Sequence, residues 1–146
     1  MATTGLPANE FYAEGTISSA DITDTAVGKL GHANGVVLVP AYGAGKAVEL
    51  ISALLILEFD TAAYTGGGNT SINISGGGAV LTGVATAAQF IQQGADIMIQ
   101  LVPLATTYLT LTDNKGLALV SASAPTGTGK GEIHYRVSYR VHTNQL

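Results

Sequence analysis

The sequence predicts an all-β protein: an antiparallel β-sandwich, jelly-roll-like in arrangement, with one short helix. Three observations carry this. Residues 131–142, GEIHYRVSYRVH, alternate with period two, the pattern of a long, half-buried strand. Short apolar runs recur at close intervals before it, and glycine-rich stretches such as 66–68 and 76–78 separate them. Seven or eight short strands with turns of that kind fit a sandwich better than a helical or α/β layer architecture.

The elements follow in order. Residues 1–13 read as an N-terminal arm of small and polar residues, anchored by Leu6, Pro7, Phe11 and Tyr12, and 14–146 as one sandwich domain. Residues 15–22 are a weak first strand. GVVLVP (35–40) is a short apolar strand stopped by proline, and 41–45 is a turn in which Gly43 and Gly45 are free to take positive φ. Residues 46–60 are a long strand, apolar on both faces between Leu50 and Leu57, a run for which a helix is the rival reading. Ile72 and Ile74 alternate with Ser71, Asn73 and Ser75 in a short strand between glycine turns.

Residues 84–93 hold good helix formers ahead of Gly94 and supply the expected helix. DIMIQLVPL (96–104) is another strand, blunted at Pro103. Runs at 108–112 and 117–123 flank Asp113-Asn114-Lys115-Gly116, which predicts a hairpin. The loop PTGTG (125–129) leads into the last strand. There, Ile133, Tyr135, Val137, Tyr139 and Val141 face the core, while Glu132, His134, Arg136, Ser138, Arg140 and His142 face outward.

Composition narrows the function. Charged residues are 11% of the chain and hydrophobic ones 47%, against about 25% charged in an average soluble domain. Charge is depleted at interface cores, so the deficit points to a surface covered by other subunits. The net charge is −4, and no Lys/Arg cluster exists, which argues against nucleic acid as a partner. Cysteine is absent, so disulfides, thiolate catalysis and cysteine metal sites are excluded. Residues 1–15 lack the charged and apolar segments of a secretory signal. The longest apolar stretch, 48–59, contains Glu49, Ser52 and Glu58 and falls short of the ~20 residues that span a bilayer.

No motif assembles a catalytic or cofactor site. Gly45-Lys46 and Gly129-Lys130 resemble the end of a phosphate-binding loop, but Pro40 and Ala124 stand where its first glycine belongs. Ala47 and Gly131 stand where its Ser/Thr belongs. His134 and His142 lie on one strand face roughly 26 Å apart at the usual rise, too far to share a metal. The close carboxylate pairs, Asp21/Asp24 and Glu58/Asp60, have no identifiable base or orienting partner. The expectation is therefore no catalytic residue, no metal and no cofactor. Arg136 and Arg140, with Phe11 and Tyr12, are the candidate interface residues, because arginine and aromatics are enriched at interface hot spots.

Residues 36–74, VVLVPAYGAGKAVELISALLILEFDTAAYTGGGNTSINI, resemble a group of small tailed-bacteriophage virion proteins. Their pattern is an apolar strand, Pro-x-x-Gly-x-Gly-Lys, a long apolar strand, then an Ala-Tyr-x-Gly turn. Here these are Pro40, Gly43, Gly45, Lys46, Ala63, Tyr64 and Gly66. NKGLALVSASAP (114–125) and HYRVSYRV (134–141) extend the resemblance over roughly 15–142. It implies a head decoration, or cement, protein: a β-rich homotrimer made in the bacterial host cytoplasm. Such a protein sits on the head exterior of the virion and binds the major capsid protein, with no nucleic acid or membrane partner. The other function the sequence allows is a tail, neck or lectin-like receptor-binding module, although the chain has no tryptophan for a sugar to stack on.

Overall fold

In a computed structural model, residues 10–104 and 112–143 are described. The strands are β1 (Glu10–Ile17), β2 (Val36–Val39), β3 (Lys46–Glu58), β4 (Thr65–Gly66), β5 (Thr70–Ile74), β6 (Ile97–Leu101), β7 (Leu117–Ser121), β8 (Pro125–Thr126) and β9 (Glu132–Thr143). They form a four-stranded sheet in the order β1-β9-β3-β6, a three-stranded sheet β2-β7-β5 and a two-stranded ribbon β4-β8. Every pairing between these strands is antiparallel. The expected all-β sandwich is the observed one. Among the described residues, no helix is long and apolar enough to cross a membrane.

Alternation explains the core. Leu50, Ala53, Leu55 and Leu57 of β3 and Ile133, Val137 and Tyr139 of β9 point inward and are buried. They share one cluster with Val39, Ile72, Leu117 and Leu119 of the three-stranded sheet. A register shift between Leu50 and Ser52 keeps the long β3 in step with β9 on either side of it. A bulge of this kind restores alternation after one extra residue. Gly15 has no side chain because the Tyr135 ring lies there: a Cβ would meet its hydroxyl at 2.5 Å.

Two local expectations are corrected. Residues 84–93 do not form a helix of that length. Thr86 and Gln89 make a reciprocal capping box around a single 3₁₀ turn, Ala87–Gln89. The segment then buries two adjacent residues, Phe90 and Ile91, and the Phe90 backbone, at φ −133° and ψ −81°, has left helical geometry, so no further turn follows. The short α-helix is α1 (Ser19–Thr23), overlapping the second half of the stretch 15–22 expected as the first strand. Ser18 ends β1's run by capping the helix, its side chain accepting from the Asp21 N–H.

Of the hairpin expected across Asp113–Gly116, only the turn and the second strand lie among the described residues. β7 pairs with β2 on one edge and β5 on the other, so neither edge is left for a neighbour in sequence. The turn docks on the start of β3 instead. The Gly45 N–H donates to Asp113 Oδ1 at 2.7 Å, and the Asn114 N–H donates to the Lys46 carbonyl at 2.9 Å. The first half of the expected hairpin falls mostly on residues 105–111, outside the described residues, as do residues 1–9 of the expected arm. Residues 10–13 of that arm are the first half of β1, paired with β9.

Candidate interaction surface

Cross-strand register assembles one chemically distinctive surface, the outward face of the four-stranded sheet. Opposed residues of an antiparallel pair share a face. Glu10 lies opposite Arg140, which lies opposite Glu49; Glu14 lies opposite Arg136, which lies opposite Leu54. Thr16, His134, Ile56 and Met98 form the next row, and Glu132 and Glu58 the last. Tyr12, Ser138 and Ser52 form the row between the two arginines. All five glutamates of the chain, both arginines and two of its three histidines therefore lie on one face. With neutral histidines, five carboxylates against two guanidiniums leave it at −3, most of the chain's −4.

The charges are arranged in pairs. Arg136 Nε is 3.1 Å from Glu14 Oε1, and its guanidinium carbon sits 4.3 Å from the centre of the Tyr12 ring. Arg140 reaches Glu10 through Nη2 and Glu49 through Nη1, each at 3.8 Å. His142 Nε2 is 2.7 Å from Glu49 Oε2. His134 Nε2 is 2.7 Å from Glu58 Oε2, and its Nδ1 is 2.9 Å from the Thr16 hydroxyl. In the neutral tautomer that donates Nε2–H to Glu58, Nδ1 accepts from Thr16. These groups are substantially exposed, so each pair contributes only about 0.2–1 kcal/mol. Their main effect is to fix side-chain positions on a flat surface.

Apolar side chains lie beside these pairs and run across β3 to the edge strand β6. Met98 is 63% exposed, Tyr12 56% and Ile56 36%, with half-buried Leu54 beside Ile56. An open groove of about 410 Å³ runs past Leu54, Ile56, His134 and Arg136 to Glu14 and Thr16 on β1. An apolar patch flanked by polar and charged groups is the anatomy of a protein–protein contact surface.

Of the four residues singled out from sequence, Tyr12, Arg136 and Arg140 meet on this face. Phe11 does not. It stands opposite Tyr139 on the inward side, with ring centroids 5.7 Å apart. The Tyr139 hydroxyl shares a 2.6 Å hydrogen bond with that of Tyr42. Burial, and then this hydrogen bond, push the Tyr139 phenol up to about 12. Tyr64 behaves similarly: burial, with a smaller push from the charge of Glu132, raises its phenol to about 12.

Sequence reasoning missed the five glutamates and the Leu54, Ile56 and Met98 centre. β3 alone carried no signal for it, because Glu49 and Glu58 stand nine residues apart and come to one face only through the register shift between Leu50 and Ser52. Among the described residues, no three histidine or acidic side chains are placed to hold a metal ion; each of the two face histidines is taken by its own glutamate.

No protein-family model matches this sequence, and comparison with curated proteins gives no match. Among solved structures, the chain is similar to one in the cyanophage Pam1 capsid asymmetric unit. The TM-score is 0.50 and the identity 16%, covering 96% of this chain and 91% of that one. At that identity the likeness is one of fold.

Proposed function

We propose that this chain is a structural protein of a bacteriophage capsid, and that it decorates the head exterior as an oligomer, a trimer in the simplest form, bound to the major capsid protein. The observation that carries the reading is the fold likeness to a chain of a phage capsid over nearly the full length of both. The motifs around Pro40–Gly66 and the low charge of the chain support it. The outward sheet face supplies a surface suited to protein contact. Mechanically, a protein that binds only the assembled lattice stabilises it by mass action. Copies linked in an oligomer add their contacts, so each contact can be weak.

The role is structural rather than catalytic. Thr16, His134 and Glu58 do form a hydroxyl–imidazole–carboxylate run of the kind that activates nucleophiles. Here it lies on an open sheet face, with the His134 and Glu58 side chains 40% and 65% exposed. In that setting its effect is to orient the side chains that border the apolar centre.

The test is co-sedimentation of the purified chain with empty heads of its phage, followed by heating of the decorated and bare heads. The reading expects saturable binding and a higher disruption temperature for decorated heads. A chain that stays in the supernatant, or binds without changing head stability, refutes it.

A further inference from the structure

We infer that the outward face of the four-stranded sheet is the docking face, and that it fits a protein surface whose apolar centre is bordered by lysine and arginine side chains. This rests on the capsid reading, in which that surface belongs to the capsid lattice.

Charge selects the occupant. The face carries three net negative charges around Leu54, Ile56 and Met98. A second copy docked face to face would oppose −3 with −3, and like charges facing each other across an interface disfavour that pairing. The rest of the chain does not offer the complement either. It holds four lysines against five aspartates, and Lys29 is already bound to Asp21 at 2.6 Å and Lys46 to Thr143 at 2.9 Å. Nucleic acid and anionic lipid are repelled by the same field. A protein with basic residues around an apolar patch satisfies both parts of the face.

Size says how it binds. Four strands about 4.8 Å apart and about eight residues long at ~3.3 Å rise give a face on the order of 500 Å². A standard interface takes about 800 Å² per partner. One copy of this face alone would bind weakly, and firm attachment requires several faces acting together, as in an oligomer. Steering by the glutamates would make binding weaken as salt screens it.

The test compares binding of wild type and variants to empty heads, at low and high NaCl. Met98→Arg places a bulky cation at the β6 end of the apolar patch, against a partner that is itself basic. Met98 is well exposed on a strand at the sheet edge, and a thermal melt checks that the fold survives. Tyr12→Ala, on the other edge strand, is the second variant. Val37→Arg, at a 51% exposed position of the other sheet, is the control. Glu10→Gln with Glu14→Gln removes two charges from the border.

The expected result is at least tenfold weaker binding for Met98→Arg, weaker binding for Tyr12→Ala, and none of this for Val37→Arg. The glutamate pair should flatten the salt dependence. Wild-type binding that Met98→Arg and Tyr12→Ala leave intact overturns the docking face while sparing the capsid reading. Loss of the oligomer by light scattering in Met98→Arg makes the face a contact between copies and also overturns it. A wild type that binds no heads removes the capsid reading and this inference with it.

Discussion

Tyr64→Phe is the sharpest probe of how the sheet face is held in place. Tyr64 is 2% exposed, and its hydroxyl donates to the Gly131 carbonyl at 2.6 Å across 67 residues of sequence. Gly131 immediately precedes β9, so this bond ties the loop after β3 to the end of the sheet that carries Glu132 and His134. Phenylalanine keeps the ring against Gly129 and removes only the donor. Leaving a buried carbonyl without its partner costs about 1–3 kcal/mol. For a chain of this size each kcal/mol lowers Tm by roughly 3–4 °C, so the melt should shift down by roughly 3–12 °C. The variant should also lose one late-titrating phenol from an alkaline absorbance titration, because Tyr64 ionises only near 12. A Tm within about 1 °C of wild type, together with an unchanged late phase, would refute the burial and the bond.

The other predictions are independent of that one. Stability should fall between pH 10 and 12: Tyr64 and Tyr139 have ordinary values of 10.0 and folded values of about 12. The unfolded chain therefore releases these protons first, and their contribution, complete below about pH 10, is lost by about 12. Denaturant midpoints measured across that range check it, and midpoints that rise or stay flat would count against it. Leu55→Ala, at a fully buried position of β3, should cost about 2–5 kcal/mol by chemical denaturation, and a cost below 1 kcal/mol would place Leu55 outside the core. Wild type should hydrolyse p-nitrophenyl acetate no faster than Thr16→Ala. Turnover that this substitution abolishes would make the Thr16–His134–Glu58 run catalytic and sink the structural reading.

Long strands were legible in the sequence because alternation over many residues leaves one solution. β9 follows it, whereas β3 is apolar on both faces between Leu50 and Leu57, and its register with β9 then decides which side chains share a face. Short elements were not. Ser18 caps a five-residue helix that a strand-like run of small residues concealed, and one capping box at Thr86 and Gln89 stops after a single turn. Local signals of this size are decided by what the neighbouring residues bury. The Asp113–Gly116 turn shows a related limit of local signals: its residues suit a hairpin, while the partners of β7 on both edges are strands remote in sequence.

The interaction face was half legible. Arg136 and Arg140 could be picked out because β9 shows its own parity, and Tyr12 only as an aromatic of the expected arm. Phe11 was grouped with Tyr12, although adjacent residues of a strand point to opposite sides. The glutamates became part of the surface only once β1, β9 and β3 were known to be neighbours. That order is a non-local fact which no single strand encodes.

The central claim is tested most directly by a cryo-EM reconstruction of the phage head saturated with this chain. The account predicts added density on the outer surface at positions of local threefold symmetry, with the outward face of the β1-β9-β3-β6 sheet turned toward the lattice. A head surface that remains bare at saturation would contradict it.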